Sequence, residues 1–238
     1  MSWETPNKLC ESDQPAIPAL LAEQGGSYAA ALGIELDGLR PEEVYKWFLA
    51  AVLFGARISE RLATRTWREF ERSGVLTPQR MLDTGWEGLV RILDRGGYTR
   101  YDYKTATKLL KINRTLLADY GGNLNALHAA ATDSVDLERR VMALGKGIGP
   151  TTAGIFLREL RGRWTKAAPP LSPLAAMAAH ELGLQAGGIP PDEALALLQR
   201  QWQQAGMAES SFGDFEAALV RAGLQRRRGR ARGPWSRA

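Results

Sequence analysis

Apolar residues return every three or four positions along nearly the whole chain, and no segment alternates apolar with polar residues as a half-buried strand would. That periodicity restricts the chain to an all-α fold. The run from Pro41 carries it most clearly. Pro41 opens a helix with Glu42 and Glu43 at its positive end, and Val44, Trp47, Phe48, Ala51, Val52 and Phe54 form an amphipathic stripe. Gly55 is the weak point. Ile58, Leu62 and Trp67 fall on a following helix that Ser73-Gly74 closes.

Further helices are predicted at 78–83, 86–95, 103–120, 123–130, 135–144, 192–205 and 212–222, with shorter ones at 16–24 and 27–33. Asp94 to Gly97 and Tyr120 to Gly122 act as stops. Thr84, Asp133 to Asp136 and Ser172-Pro173 read as N-terminal caps. No repeat of fixed period is present.

Composition narrows the function classes. The chain has 238 residues, enough for one domain or two small lobes. With 45% hydrophobic and 24% charged residues it is a globular sequence, not a disordered one. No apolar run reaches the roughly 18–20 residues needed to cross a bilayer. The first fifteen residues lack the basic start and apolar stretch of a secretory signal. The single cysteine, Cys10, supports neither an internal disulfide nor a four-cysteine metal site, and it permits a reducing cytoplasm. Neither His128 nor His180 has a partner at metal-ligand spacing, so no metal is expected.

The net charge is +5, yet six arginines (226, 227, 228, 230, 232 and 237) crowd the last thirteen residues. Residues 1–225 hold 25 bases against 26 acids, a net of −1. The basic character is therefore expected of a tail, 226–238. It is either a solvated, disordered terminus or an attractor of polyanions.

Residues 141–157, VMALGKGIGPTTAGIFL, are the informative motif. A helix ends near Leu144, a turn of three glycines follows, and a second helix starts near Pro150. Gly147 and Gly149 permit positive φ and close backbone approach. The second helix offers free N–H groups and a positive dipole end, Lys146 adds a charge, and Ile148 is placed to plug the two helices. Such a corner is either a glycine-built helical turn or a hairpin that grips a DNA phosphate without reading sequence.

GIGPTTA resembles the hairpin of the endonuclease III-like DNA glycosylases, the helix-hairpin-helix superfamily. AAVLFGARISERLATR (50–65) and GYTRYDYKTATKLLKI (97–112) are similar to two upstream segments of that family, and order and spacing agree from about 43 to 185. The resemblance implies two all-helical lobes with a DNA cleft between them. One lobe is continuous, about 42–140. The other is built from both chain ends, 1–41 and 165–225. The hairpin, 141–160, stands at the mouth of the cleft. The resemblance also implies a monomer that binds double-stranded DNA in base-excision repair, flipping a damaged base out of the duplex before cutting it free. The expected location is the cytoplasm, at the nucleoid in a bacterium.

Two positions depart from the family. Its catalytic aspartate is matched by Ser172, and no Asp lies between Asp136 and Asp192. Its lyase lysine is matched by Thr151. The cysteine cluster that holds an iron–sulfur centre in some members is absent, so no cofactor is expected. The chain either binds DNA without cutting it or cuts with other groups, for which Asp102 and Glu159 are the acids to inspect. DNA contacts are expected from Lys146, Gly147, Gly149, Thr151 and Thr152 at the hairpin, from Arg57, Arg100 and Lys104 across the cleft, and from Arg226, Arg227 and Arg228. Arg57 matches the family position that fills the gap left by a flipped base, and reads equally as a plain helix-end arginine. Tyr98, Tyr101, Tyr103, Arg100 and Lys104 interleave aromatic and basic groups as a backbone or base-stacking surface does, although Tyr101 and Lys108 fit structural roles as well. Trp47, Trp67, Trp86 and Trp164 are assigned to the core.

Overall fold

The computed structural model of the chain describes residues 17–208 and 211–231, the last three by their backbone alone. Cys10 and Trp235 lie outside them, as do Arg232 and Arg237. The described residues form twelve helices and no strand: α1 (Ile17–Gln24), α2 (Tyr28–Ala31), α3 (Pro41–Phe54), α4 (Glu60–Arg72), α5 (Pro78–Gly96), α6 (Asp102–Tyr120), α7 (Leu124–Ala130), α8 (Ser134–Ala143), α9 (Pro150–Arg158), α10 (Pro173–Glu181), α11 (Pro191–Gln204) and α12 (Phe212–Ala231). The all-α expectation holds. No helix is long and apolar enough to cross a membrane.

Local chemistry sets most of the boundaries. Ser172 Oγ accepts the Ala175 N–H at 3.2 Å, and Asp133 accepts that of Asp136 at 2.8 Å. Gly97 and Gly121 end α5 and α6 at φ 84° and 60°, where a Cβ is disfavoured. Gly85, with φ 67° and ψ 176°, breaks α5 into the two pieces anticipated at 78–83 and 86–95. Three local expectations fail. Thr84 does not cap the second piece, because its hydroxyl bonds back to Arg80 O at 2.7 Å. Ile58 lies in the α3–α4 elbow, before α4 begins. The basic tail does not start at 226, because α12 continues to Ala231.

α3 is the axis of the fold. From Glu43 to Leu53 only Lys46 is not buried, so this helix is surrounded rather than amphipathic. It packs on α4, α7 and α9, while α5 lies between α4 and α6, and α8 lies on α7 and α9. Aromatic edges lock α3 to α9: Phe48 meets Phe156 at 5.2 Å, Phe156 meets Trp164 at 5.6 Å, and Trp47 Nε1 donates to Phe156 O at 3.0 Å. Trp47, Trp67 and Trp164 are buried as expected, and Trp202 joins them between Phe212 and Phe215. Trp86 is not core; it is 40% exposed.

The first and last described helices meet. α12 packs on α1 and α10. Gln24 and Gln225 exchange amide hydrogen bonds at 3.0 Å, and Arg221 donates to the carbonyls of Gln24, Gly25 and Gly26. A buried ion pair, Arg161 Nε to Glu216 at 2.7 Å, ties the segment after α9 to α12.

Candidate nucleic-acid interface

α8 and α9 flank the turn Gly145-Lys146-Gly147-Ile148-Gly149. Ile148 N donates to Gly145 O at 3.1 Å, and Gly147 takes φ 96°. Ile148 is buried at 5% exposure, the plug that the motif requires. The turn stands on α6. A Cβ at Gly145 would lie 2.7 Å from Ile112 Cγ1, so glycine permits this approach. A Cβ at Gly147 would sit 3.4 Å from Lys108 Cδ and 3.8 Å from Lys108 Nζ. Gly149 differs from the expectation: its backbone is extended (φ −105°, ψ −179°), and a Cβ there would meet nothing within 4 Å. The fold does not require glycine at 149; the space before it is open.

α9 has no side-chain cap, and Pro150 brings no N–H, so the N–H groups of Thr151 and Thr152 head the helix dipole without a capping oxygen. Thr151 is exposed. The Thr152 side chain is not available to a ligand: it is buried, and a Cβ on Gly55 would reach its Oγ1 at 2.2 Å. That contact seats the α3–α4 elbow against the first turn of α9. Arg57, exposed and two residues further on, therefore belongs to the same corner.

Lys104, Lys108 and Lys111 fall at i, i+4 and i+7 on α6 and share one face. Burial pushes the Lys108 ammonium below the usual lysine range. None of Lys104, Lys108, Lys111, Lys146 and Arg57 makes an ion pair among the described residues. Several cations elsewhere are engaged, Lys46 with Glu43, Arg163 with Asp37 and Arg161 with Glu216, whereas Arg61, Arg80, Arg114 and Arg200 make no ion pair among the described residues either. One group of unpaired cations thus lies where the uncapped helix opens.

The first helix of the hairpin is held from its own start. Asp136 accepts the Thr132 N–H at 3.0 Å and Arg140 Nε at 2.8 Å, and also pairs with Arg139. The Arg140, Thr132 and Arg139 donors hold its carboxyl well below the usual carboxylate range. A folded-state value below the unfolded one, about 3.9, gives stability that is present above that pH and lost as pH falls toward the folded value. Asp136→Asn should flatten the acid limb of the stability curve, read from urea midpoints between pH 7 and pH 2. Equal acid losses in both proteins would count against this role.

The other expected site residues are scattered. Ser172 is half-buried and its hydroxyl caps α10, so it serves structure. His180 lies eight residues along that helix, about 12 Å away by helical rise, and bonds Gln185 O. His128 stacks on Trp164 at 4.7 Å. Glu159 is spent as well: it is buried, and its two oxygens accept the Tyr28 and Ala29 N–H groups at 2.7 and 2.8 Å. Burial raises its carboxyl pKa, and burial likewise pushes the Tyr28 phenol up to about 12. Asp102 faces Asp94, whose carboxyl is raised by desolvation and by that neighbour. Arg226 is not a free DNA contact, since its Nε lies 3.4 Å from Glu181; Arg227 and Arg228 are exposed on α12. Arg100 lies over the Tyr101 ring at 5.4 Å, and Lys104 is exposed.

Sequence reasoning passed over two groups and misplaced a third. Lys111 extends a spacing that was already visible. Trp86 joins the surface only through tertiary packing. Glu60, on the first turn of α4 beside the elbow, makes no ion pair among the described residues but acts on Tyr28. Two shallow depressions of the described surface, one at Leu21–Gly26 with Arg221 and one around Ser73–Val75 with Arg80, Asp83 and Thr84, include no hairpin residue.

No protein-family model matches the chain, and no curated protein matches it in sequence.

Proposed function

We propose that the chain binds duplex DNA through its phosphates, using the α8–α9 hairpin of a helix-hairpin-helix, glycosylase-like scaffold. One observation carries this reading: the uncapped start of α9 opens beside Lys146 and Lys108, which have no acidic partner among the described residues. A phosphate oxygen accepts from the Thr151 and Thr152 N–H groups, lies on the positive end of the helix dipole, and meets the lysine ammonium groups. Lys104, Lys111 and Arg57 extend the positive track to the next phosphates.

Gripping without base excision is the preferred form of this reading. Excision needs a carboxylate facing the flipped nucleotide. Ser172 carries none, Glu159 is bound to the backbone of α2, and Asp102 faces Asp94. Glu60 supports the second reading, a base-excision enzyme whose catalytic acid has moved to the elbow.

The test is a panel of fluorescent duplexes that are undamaged, mismatched, abasic, or carry uracil, 8-oxoguanine or an alkylated base. Each is titrated at two salt concentrations and scored for strand breaks after alkali. Contacts from these five cations give a log–log salt slope of about −4.5. Binding with such a slope and no breaks supports the gripping form. Breaks that disappear in Glu60→Gln transfer the conclusion to the enzyme. Absence of binding at low salt removes both.

A further inference from the structure

Trp86, Tyr101 and Tyr103 are three of the four large hydrophobic residues exposed on the described surface. Trp86 and Tyr103 meet where α5 passes the start of α6, and Tyr101 immediately precedes α6. The Trp86 and Tyr103 rings lie 5.1 Å apart at 43°. Trp86 Nε1 donates to Thr107 Oγ1 at 3.1 Å, and that hydroxyl donates to Tyr103 O at 2.9 Å. The indole is therefore fixed by its polar edge, while Tyr103 stands 61% exposed. Arg100 lies over Tyr101 on the same corner.

The corner is continuous with the positive track. Tyr103 and Lys104 are adjacent, and Lys108 follows one turn later on the same helix. Five residues of helix separate Tyr103 from Lys108, about 7.5 Å, close to two nucleotide rises of about 3.4 Å each. Asp102, Asp94 and Glu87 are acids at this corner, and Glu87, next to Trp86, lies 3.8 Å from Arg91. The two aspartates face each other, and Arg91, Arg100, Lys104, Lys108 and Lys111 outnumber the three acids.

We infer that the Trp86–Tyr103 corner is a stacking platform for unpaired bases, so that the protein prefers duplex DNA continued by a single strand over uninterrupted duplex. The inference rests on the phosphate-gripping reading of the hairpin. Paired bases hide their faces inside the duplex, whereas an unpaired strand offers them. Fixed, exposed aromatic rings among lysines recognise bases of any sequence next to a tracked backbone. An apolar protein partner would have no use for the unpaired lysines along the same helix.

The experiment uses the full chain and four fluorescein-labelled DNAs: a blunt 20-base-pair duplex, the same duplex with a six-nucleotide thymine overhang, the duplex with an overhang of six abasic sugars, and a free thymine oligonucleotide. The thymine overhang should bind about tenfold more tightly than the blunt duplex, while the abasic overhang, with equal phosphate charge, should gain less than threefold. Trp86→Ala and Tyr103→Ala should each remove most of the thymine gain and leave blunt-duplex affinity unchanged, and Trp86→Phe should restore much of it. Equal gains from thymine and abasic overhangs, or a thymine gain that survives Trp86→Ala, would overturn the platform while leaving the hairpin reading intact. Failure to bind any duplex would remove the hairpin reading, and the platform with it.

Discussion

Glu216→Ala should lower the unfolding free energy by about 3–5 kcal/mol, with a fall in the thermal midpoint of about 10 °C. Glu216 and Arg161 are both buried, and their side chains meet at 2.7 Å. Removing the carboxylate leaves a guanidinium with no counter-charge in a dry site. Arg161 also donates to Pro169 O in the loop that leads to Ser172, so the loss spreads to the start of α10. The same physics predicts a rescue. Arg161→Met combined with Glu216→Leu deletes both charges, fills the volume, and should recover most of the loss, apart from the cost of the orphaned Pro169 carbonyl. Denaturation at pH 7 measures all three proteins. A single variant within about 1 kcal/mol of the parent would show that the pair contributes little.

Lys108→Met with Lys146→Glu is expected to produce the largest change in binding. Methionine keeps the aliphatic stem of residue 108 against Gly147 and removes its ammonium. Glutamate at the exposed position 146 turns attraction into repulsion at the mouth of α9. Two phosphate contacts should disappear, with a salt slope shallower by about 1.8 and an affinity for blunt duplex reduced about a hundredfold near 0.1 M salt. Neither substitution opens a cavity, so the thermal midpoint should stay within a few degrees. An unchanged salt slope would mean that the hairpin does not touch phosphate. A collapse of the midpoint would assign Lys108 to the fold instead.

The elements most legible in the sequence are those fixed by their neighbours along the chain. Gly97 and Gly121 at positive φ, the Ser172 and Asp133 caps, and Pro41, Pro150 and Pro173 at helix starts all act within four residues. What escaped depends on distant partners. Glu159 reads as a spare acid until the start of α2, 130 residues earlier, is laid against it. Trp86 reads as core because tryptophan usually is, yet it lies at the surface against Tyr103 and Thr107 of α6. The arginines after Gln225 read as a charged tail, although arginine is a good helix former and Glu181 holds Arg226 in place. At the site, the hairpin and the lysine spacing were visible in one dimension. The meeting of Lys108 with Gly147 and of Gly55 with Thr152 was not, since both are contacts across helices.

The meeting of α1 with α12 also bears on how the protein is made. Ile17 and Leu20 of α1 find their main packing partner in α12, and Gln24 bonds Gln225, 201 residues later. At about 5–20 residues per second, a ribosome needs on the order of 10–40 seconds to cover that distance. Helices α3 to α9 contact one another and are complete well before α12 emerges. The nascent chain therefore carries a packed middle while α1 still waits for the α12 face that it packs against.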